Sequence, residues 1–258
     1  MVLHRQRGLI LASALGAGAA SCAPEASLPI ADTGSSVEVV TLDVPPHFPP
    51  FPLPLPTRAK ADLGRMLFHD FRLSRDDARS CGICHEGKKG YTDGFPRAVG
   101  ALGDAHTRNT LSLLNLAWRG PLTWVDPELT NLVEQMQVPL FGTHPLEMGA
   151  NPDVLLPRLA NIELYSRAFT NAFPEQDDPF SMTNLEAAVL AYETLIIAGD
   201  TPYDRYLLGD ASALSDDALS GMALFFGPRL GCSGCHGGLF LNLPTDTDGD
   251  PTADRPEY

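Results

Sequence analysis

The chain has 258 residues, 44% of them hydrophobic, and its 32 acidic against 18 basic residues give a net charge of −14. That length can bury a sizeable core, and the acidic balance argues against nucleic acid or an anionic membrane surface as a partner. It is also longer than the small secreted folds that depend on a disulfide framework.

The predicted elements begin with a secretory signal over residues 1–22. Arg5 and Arg7 form a basic start, Gly8 to Ala20 is a short apolar stretch, and small residues follow. This stretch is too short to span a bilayer, and nothing later in the chain is apolar enough to do so. Cys22 follows Ala19, Ala20 and Ser21 in a run that resembles a lipoprotein cleavage box. One reading makes Cys22 an acylated lipid anchor and the chain's only tie to a membrane. The other is an ordinary periplasmic chain whose signal cleaves nearby, and both stay open. Residues 23–57 read as a tether followed by a strap. Prolines crowd the segment from Pro45 to Pro56, so it is extended rather than helical. Phe48, Phe51, Leu53 and Leu55 favour a strap packed on a domain over a free spacer.

Thr57 is placed to cap a helix running to about Phe68, with Leu63, Met66 and Leu67 as its apolar stripe. Residues 86–110 read as loop. Short helices are expected at Leu111 to Leu116 and Glu128 to Val138, from Asn151 onward, and over 162–173. The strongest helical pattern runs from Asn184 to Ile197 behind a Thr183 cap, and another opens at Ser215 and continues through Phe226. Strand alternation is scarce. The expected class is mainly α, in two lobes that each carry one C-x-x-C-H pentad, the attachment signature of c-type haem, and so in two cytochrome c-like haem lobes: an N-terminal domain over 58–165 and a partial C-terminal domain over 166–258.

The haem expectation rests on a pentad that occurs twice, Cys81 to His85 and Cys232 to His236, each C-x-x-C-H. This is the attachment signature of c-type haem. Two thiols on one helical turn reach two porphyrin vinyl groups, and the following imidazole serves as axial iron ligand. Cys81, Cys84, Cys232 and Cys235 are therefore read as covalent anchors, and His85 and His236 as iron ligands. A zinc ribbon would bring its pairs closer in sequence and does not require the trailing His. A thioredoxin-type pair would be single and set in a βαβ context. Export fits, because c-type haem is attached outside the bacterial inner membrane.

Leu63 to Ser74, Ser80 to His85, Gly90 to Gly94 and Arg108 to Asn115 together resemble the bacterial dihaem cytochrome c peroxidase family. Within it the chain most resembles the MauG-like branch and, more narrowly, the MbnH-type dihaem enzymes. The narrower likeness rests on the proline strap, Pro139 to Gly149 and Pro202 to Tyr206. The resemblance implies that the His85 haem reacts with hydrogen peroxide. It implies that Glu147 and Gln135 handle peroxide protons, with Gln137 as a neighbouring alternative to Gln135. It implies that Trp124 relays electrons between the haems, the other reading being an ordinary core Trp. Asn109 matches a family ligand of a calcium ion, its other reading being a loop cap. A distal loop His in ordinary peroxidases matches Ala101 here, which implies an open first haem. His69, His106 and His144 are expected to be loop or surface histidines. The chain ends at Tyr258, where the resemblance places the sixth ligand of the second haem further on, so the second lobe is expected to be incomplete.

The function implied is that of a periplasmic oxidoreductase. It would use peroxide to reach a high-valent iron state and oxidise a side chain on a partner protein. Two alternatives stand beside it. One is a peroxidase that removes peroxide with electrons from a small redox protein. The other is a non-enzymatic dihaem carrier or inactive fragment.

Overall fold

The computed structural model describes residues 38–120 and 122–241. The signal, Cys22, the first part of the tether and residues 242–258 lie outside the described residues.

Among the described residues, eight helices follow in chain order. They are α1 (Arg58–Phe68), α2 (Cys81–Cys84), α3 (Leu132–Phe141), α4 (Pro152–Ala160), α5 (Glu163–Ala172), α6 (Met182–Glu193), α7 (Pro202–Leu207) and α8 (Asp216–Phe226). Short 3₁₀ turns lie at Phe71–Leu73, Gly87–Lys89, Leu116–Trp118 and Cys232–Gly234. Among the described residues the only β pairing is three isolated antiparallel bridges. The architecture is mainly α.

The Thr57 side chain accepts from the Lys60 amide and starts α1 as expected, and Leu63, Leu67 and Phe68 are its buried stripe. Leu63 and Leu67 pack on α6 and α5 in one core with Leu73, Leu155, Leu159, Tyr165, Phe169, Leu185 and Val189. The α1–α6 crossing is a backbone contact. A Cβ on Gly64 would lie 1.8 Å from the Ala188 carbonyl oxygen. The division expected at 165/166 falls inside α5, and α5 and α6 build the same core as α1. A second cluster, Phe68, Leu113, Leu116, Leu122 and Ile196, backs the first pentad, with Cys81 and Tyr91 against it.

Several helix boundaries differ from expectation. Residues 111–113 form no helix, and a 3₁₀ turn at Leu116–Trp118 replaces the expected one. The cause is Asn115, which sits at φ 58°. Its amide oxygen accepts from the Ala198 amide and its amide nitrogen donates to the Ala198 carbonyl, each at 2.9 Å. The helix expected over 128–138 starts at Leu132 because Asn131 accepts from the Val133 and Glu134 amides. It continues to Phe141. The strongest helix is capped by Ser181 rather than Thr183. It stops at Glu193, where the Thr194 hydroxyl donates to the Leu190 carbonyl at 2.7 Å. Ser215 and Asn151 cap α8 and α4 as expected.

The strap folds back on itself, the Val40 amide bonding to Pro56 O and the Arg58 amide to Glu38 O. Phe48 is 9% exposed and sits edge-on to Trp118 and Phe240. The Trp118 indole N–H is shared between Pro49 O and Pro50 O at 3.2 Å. Leu53 and Leu55, at 37% and 39% exposed, face outward. Among the described residues, no helix is long and apolar enough to cross a membrane.

Candidate functional site: a walled pentad and its repeat

Ser80, extended, hands the chain into the single turn α2, and the His85 amide closes it by bonding to Cys81 O at 2.8 Å. Both cysteines are free thiols on one turn. Burial raises both thiol pKa values. Tyr91 takes a left-handed φ of 57°, and its carbonyl lies 3.0 Å from His85 Nδ1. A carbonyl only accepts, so Nδ1 carries the proton and Nε2 the lone pair. Burial lowers the His85 pKa against the opposing hydrogen bond from Tyr91, which keeps the ring neutral. A neutral imidazole with its far nitrogen anchored is the state an iron ligand requires.

These residues line a mostly apolar cavity of about 290 Å³. Its wall also holds Gln135 and Glu147, together with Asn109 and Trp124. Helix α3 supplies Gln135, and the segment between α3 and α4 supplies Glu147. Gln137 points elsewhere, donating to Glu186 at 2.9 Å. Glu147 is half-buried. Burial raises its pKa and the His106 charge opposes that. Trp124, 48% exposed, lies at the rim and donates its indole N–H to Asn109 O at 2.9 Å. It is therefore not a core Trp.

Ala101 sits on a turn docked to the Glu147 segment by its own amide, 3.2 Å from Leu146 O. Of the spare histidines, His69 packs near Phe68 and Tyr192, and His144 is exposed. His106 differs from both: it lines the cavity with Nδ1 3.8 Å from a Glu147 oxygen. Glu193, at the end of α6, is a second wall residue that the sequence reading passed over. Burial pushes its pKa up to about 8. Neither carries a motif; each is brought in by packing.

The donor set fits a covalent haem. Two thiols and a neutral imidazole with its Nδ1 anchored face one apolar cavity. Four buried side-chain polar atoms lack a partner among the described residues, and three of them, Arg79 Nε, His106 Nε2 and Thr110 Oγ1, belong to cavity-wall residues. Such atoms call for a ligand with polar edges as well as an apolar face. No cluster of three His, Cys, Asp or Glu side chains forms among the described residues.

The second pentad repeats the first in miniature. The His236 amide bonds to Cys232 O at 3.0 Å, and His236 Nδ1 lies 3.3 Å from Leu241 O. Leu241 is again left-handed, at φ 53°. A helix-end Phe stands beside each pentad His, Phe68 at 6.5 Å from His85 and Phe225 at 6.4 Å from His236. The same tautomer is therefore set twice. His236 and Cys235 are exposed, so the described residues wall this site less completely.

The sequence profile of the di-haem cytochrome c peroxidase family matches residues 58–212. The chain belongs to that family. Among dihaem peroxidase relatives, the methylamine utilization protein MauG of Methylorubrum extorquens is 38% identical over 180 residues, covering 70% of this chain and 50% of the relative. Cytochrome c551 peroxidase of Pseudomonas aeruginosa is 35% identical over 180 residues, covering 70% and 51%. A crystal structure of a MauG-like protein associated with microbial copper homeostasis is similar with a TM-score of 0.73 at 35% identity, over 82% of this chain and 63% of that one. The diheme peroxidase BthA of Burkholderia thailandensis gives 0.60 at 26% identity, over 78% and 52%. The chain spans about half the length of the curated dihaem relatives it matches.

Proposed function

We propose that this chain carries the peroxide-reactive centre of a dihaem oxidoreductase that oxidises a partner protein. The observation that supports it most is the convergence of Cys81, Cys84, His85, Gln135 and Glu147 on one cavity. When bound, the haems supply an iron that exchanges electrons with peroxide and store the oxidising equivalents. The chain's own residues do the rest. Glu147 takes the proton from the inner peroxide oxygen and returns it to the outer one, so that water can leave. The Gln135 amide orients that oxygen. Trp124, hydrogen-bonded at the rim, offers an electron route out of the cavity. Asn109 is proposed as one calcium ligand, with no step assigned to the ion.

The 38% identity to MauG and the TM-score of 0.73 to a MauG-like protein support a protein as electron donor. The identity to cytochrome c551 peroxidase supports peroxide removal fed by a small redox protein as the second reading. Within the chain we place the first haem unit at α1 through α6, extending the division expected from the sequence, and the second at α8 onward. We further propose a periplasmic location, with Cys22 as an optional anchor; fractionation and the mass of the mature N-terminus test it.

Spectroscopy of the ferric holoprotein tests the reading. One high-spin and one low-spin haem, with the high-spin signal consumed by stoichiometric peroxide, are expected. Two low-spin haems inert to peroxide would instead identify an electron carrier.

A further inference from the structure

His106 and Glu147 face one another for a structural reason. Residues 98–106 form a closed loop: Val99 bridges Ala105, the His106 amide bonds to Ala98 O at 2.8 Å, and the Gly100 amide bonds to Asp104 O at 2.9 Å. The loop is fastened to the cavity wall at two points. The Ala101 amide bonds to Leu146 O at 3.2 Å, and Arg79 Nη2 donates to Gly100 O at 3.1 Å. Gly100 is the point of closest approach. A Cβ there would lie 2.3 Å from Leu146 O, 2.8 Å from an Asp104 carboxylate oxygen and 3.2 Å from His106 Nε2.

The result is an imidazole only 10% exposed, lining the cavity with Nε2 buried and without a partner. Its other nitrogen stands 3.8 Å from a Glu147 oxygen, an ion-pair separation longer than a hydrogen bond. The charged groups around the imidazole are Glu147 across the gap and Asp104 on its own loop, with Arg79 and Arg108 on the same cavity wall.

We propose that His106 is a positioning residue for Glu147, orienting the carboxyl toward the cavity and carrying its counter-charge. The inference rests on the peroxide reading above, with Glu147 as the group that moves the proton. Burial works against the ionised carboxylate, which is the form that accepts a proton. The imidazole fixed beside it works the other way and favours that form, and a loop pinned at Gly100 keeps the imidazole in place.

The test uses the haem-loaded full chain and two readouts. Infrared difference spectra against pH follow the Glu147 carboxyl band, identified by its loss in Glu147→Gln. Stopped-flow mixing with hydrogen peroxide gives the pH profile of the ferric protein. His106→Gln should move the midpoint of the Glu147 band upward by about one pH unit, and the acidic limb of the peroxide profile should follow. Gly100→Ala, which crowds the contact without altering either titrating group, should shift both in the same direction. His106→Asn serves as a second neutral replacement if the glutamine variant loses its haem or its helical circular dichroism. A band midpoint unchanged in the folded neutral variants would overturn the proposal. Failure of the wild-type protein to react with peroxide would overturn the functional reading instead, and the infrared titration would still decide whether His106 and Glu147 are coupled.

Discussion

At the scale of single residues, the cavity sorts its carboxyl groups by surroundings. Glu147 is half-buried beside an imidazole, while Glu193 lies deep in the wall with burial as the cause of its shift. Their roles should separate accordingly. Glu147→Gln is expected to slow the reaction of the ferric protein with peroxide by roughly 10²- to 10⁴-fold, the range for loss of a general acid–base group, measured by stopped flow. Glu193 should appear in stability. Its folded pKa, about 8, lies above the unfolded value of 4.5, so the folded state holds a proton that the unfolded state releases. Its contribution is complete below about pH 4.5 and is lost as pH rises through about 8, at up to roughly 1.4 kcal/mol per pH unit. Glu193→Gln should flatten the fall in melting temperature between pH 5 and pH 9. A variant tracking the wild type across that range would show that Glu193 is not held neutral. The pentads and Gln135 were legible in the sequence because spacing or resemblance marks them. His106 and Glu193 were not, since each owes its position to a partner distant in sequence.

At the scale of elements, the helices most legible from sequence were those with a side-chain cap ahead of an apolar stripe, such as α1 behind Thr57 and α8 behind Ser215. The misplaced ends share a cause. Asn131 accepts from the Val133 and Glu134 amides that an earlier α3 would have used, and Asn115 bonds both backbone groups of Ala198. The α1–α6 crossing was likewise invisible, because nothing in the local pattern says that Gly64 meets the Ala188 carbonyl. Gly64→Ala therefore breaks packing even though alanine is the better helix former. We expect a loss of roughly 1–3 kcal/mol from overpacking, against a propensity gain of about 1 kcal/mol, read from urea unfolding. Ser181→Ala should cost about 1 kcal/mol through loss of the α6 cap.

At the scale of the whole molecule, the two pentads share one design but unequal shelter. The first is walled by residues contributed from Leu73 to Glu193, the second by fewer described neighbours. Replacing Cys232 and Cys235 by serine should remove one covalent haem and leave the first attached, as intact-protein mass spectrometry would show. Loss of both haems would mean that the two units do not mature independently. The strap adds an ordering in time. Phe48 and Phe240 meet at 4.9 Å across Trp118, although they stand near opposite ends of the described chain. His47 reaches Asp204 at 2.9 Å over a comparable span. A chain emerging from its N-terminus delivers the strap early, yet Phe240, the ring that completes its seat, follows only after all eight helices. Contacts of such long sequence separation form slowly. Until then Trp118 keeps one face in water, and its indole fluorescence becomes an internal clock for the moment Phe240 closes on the strap.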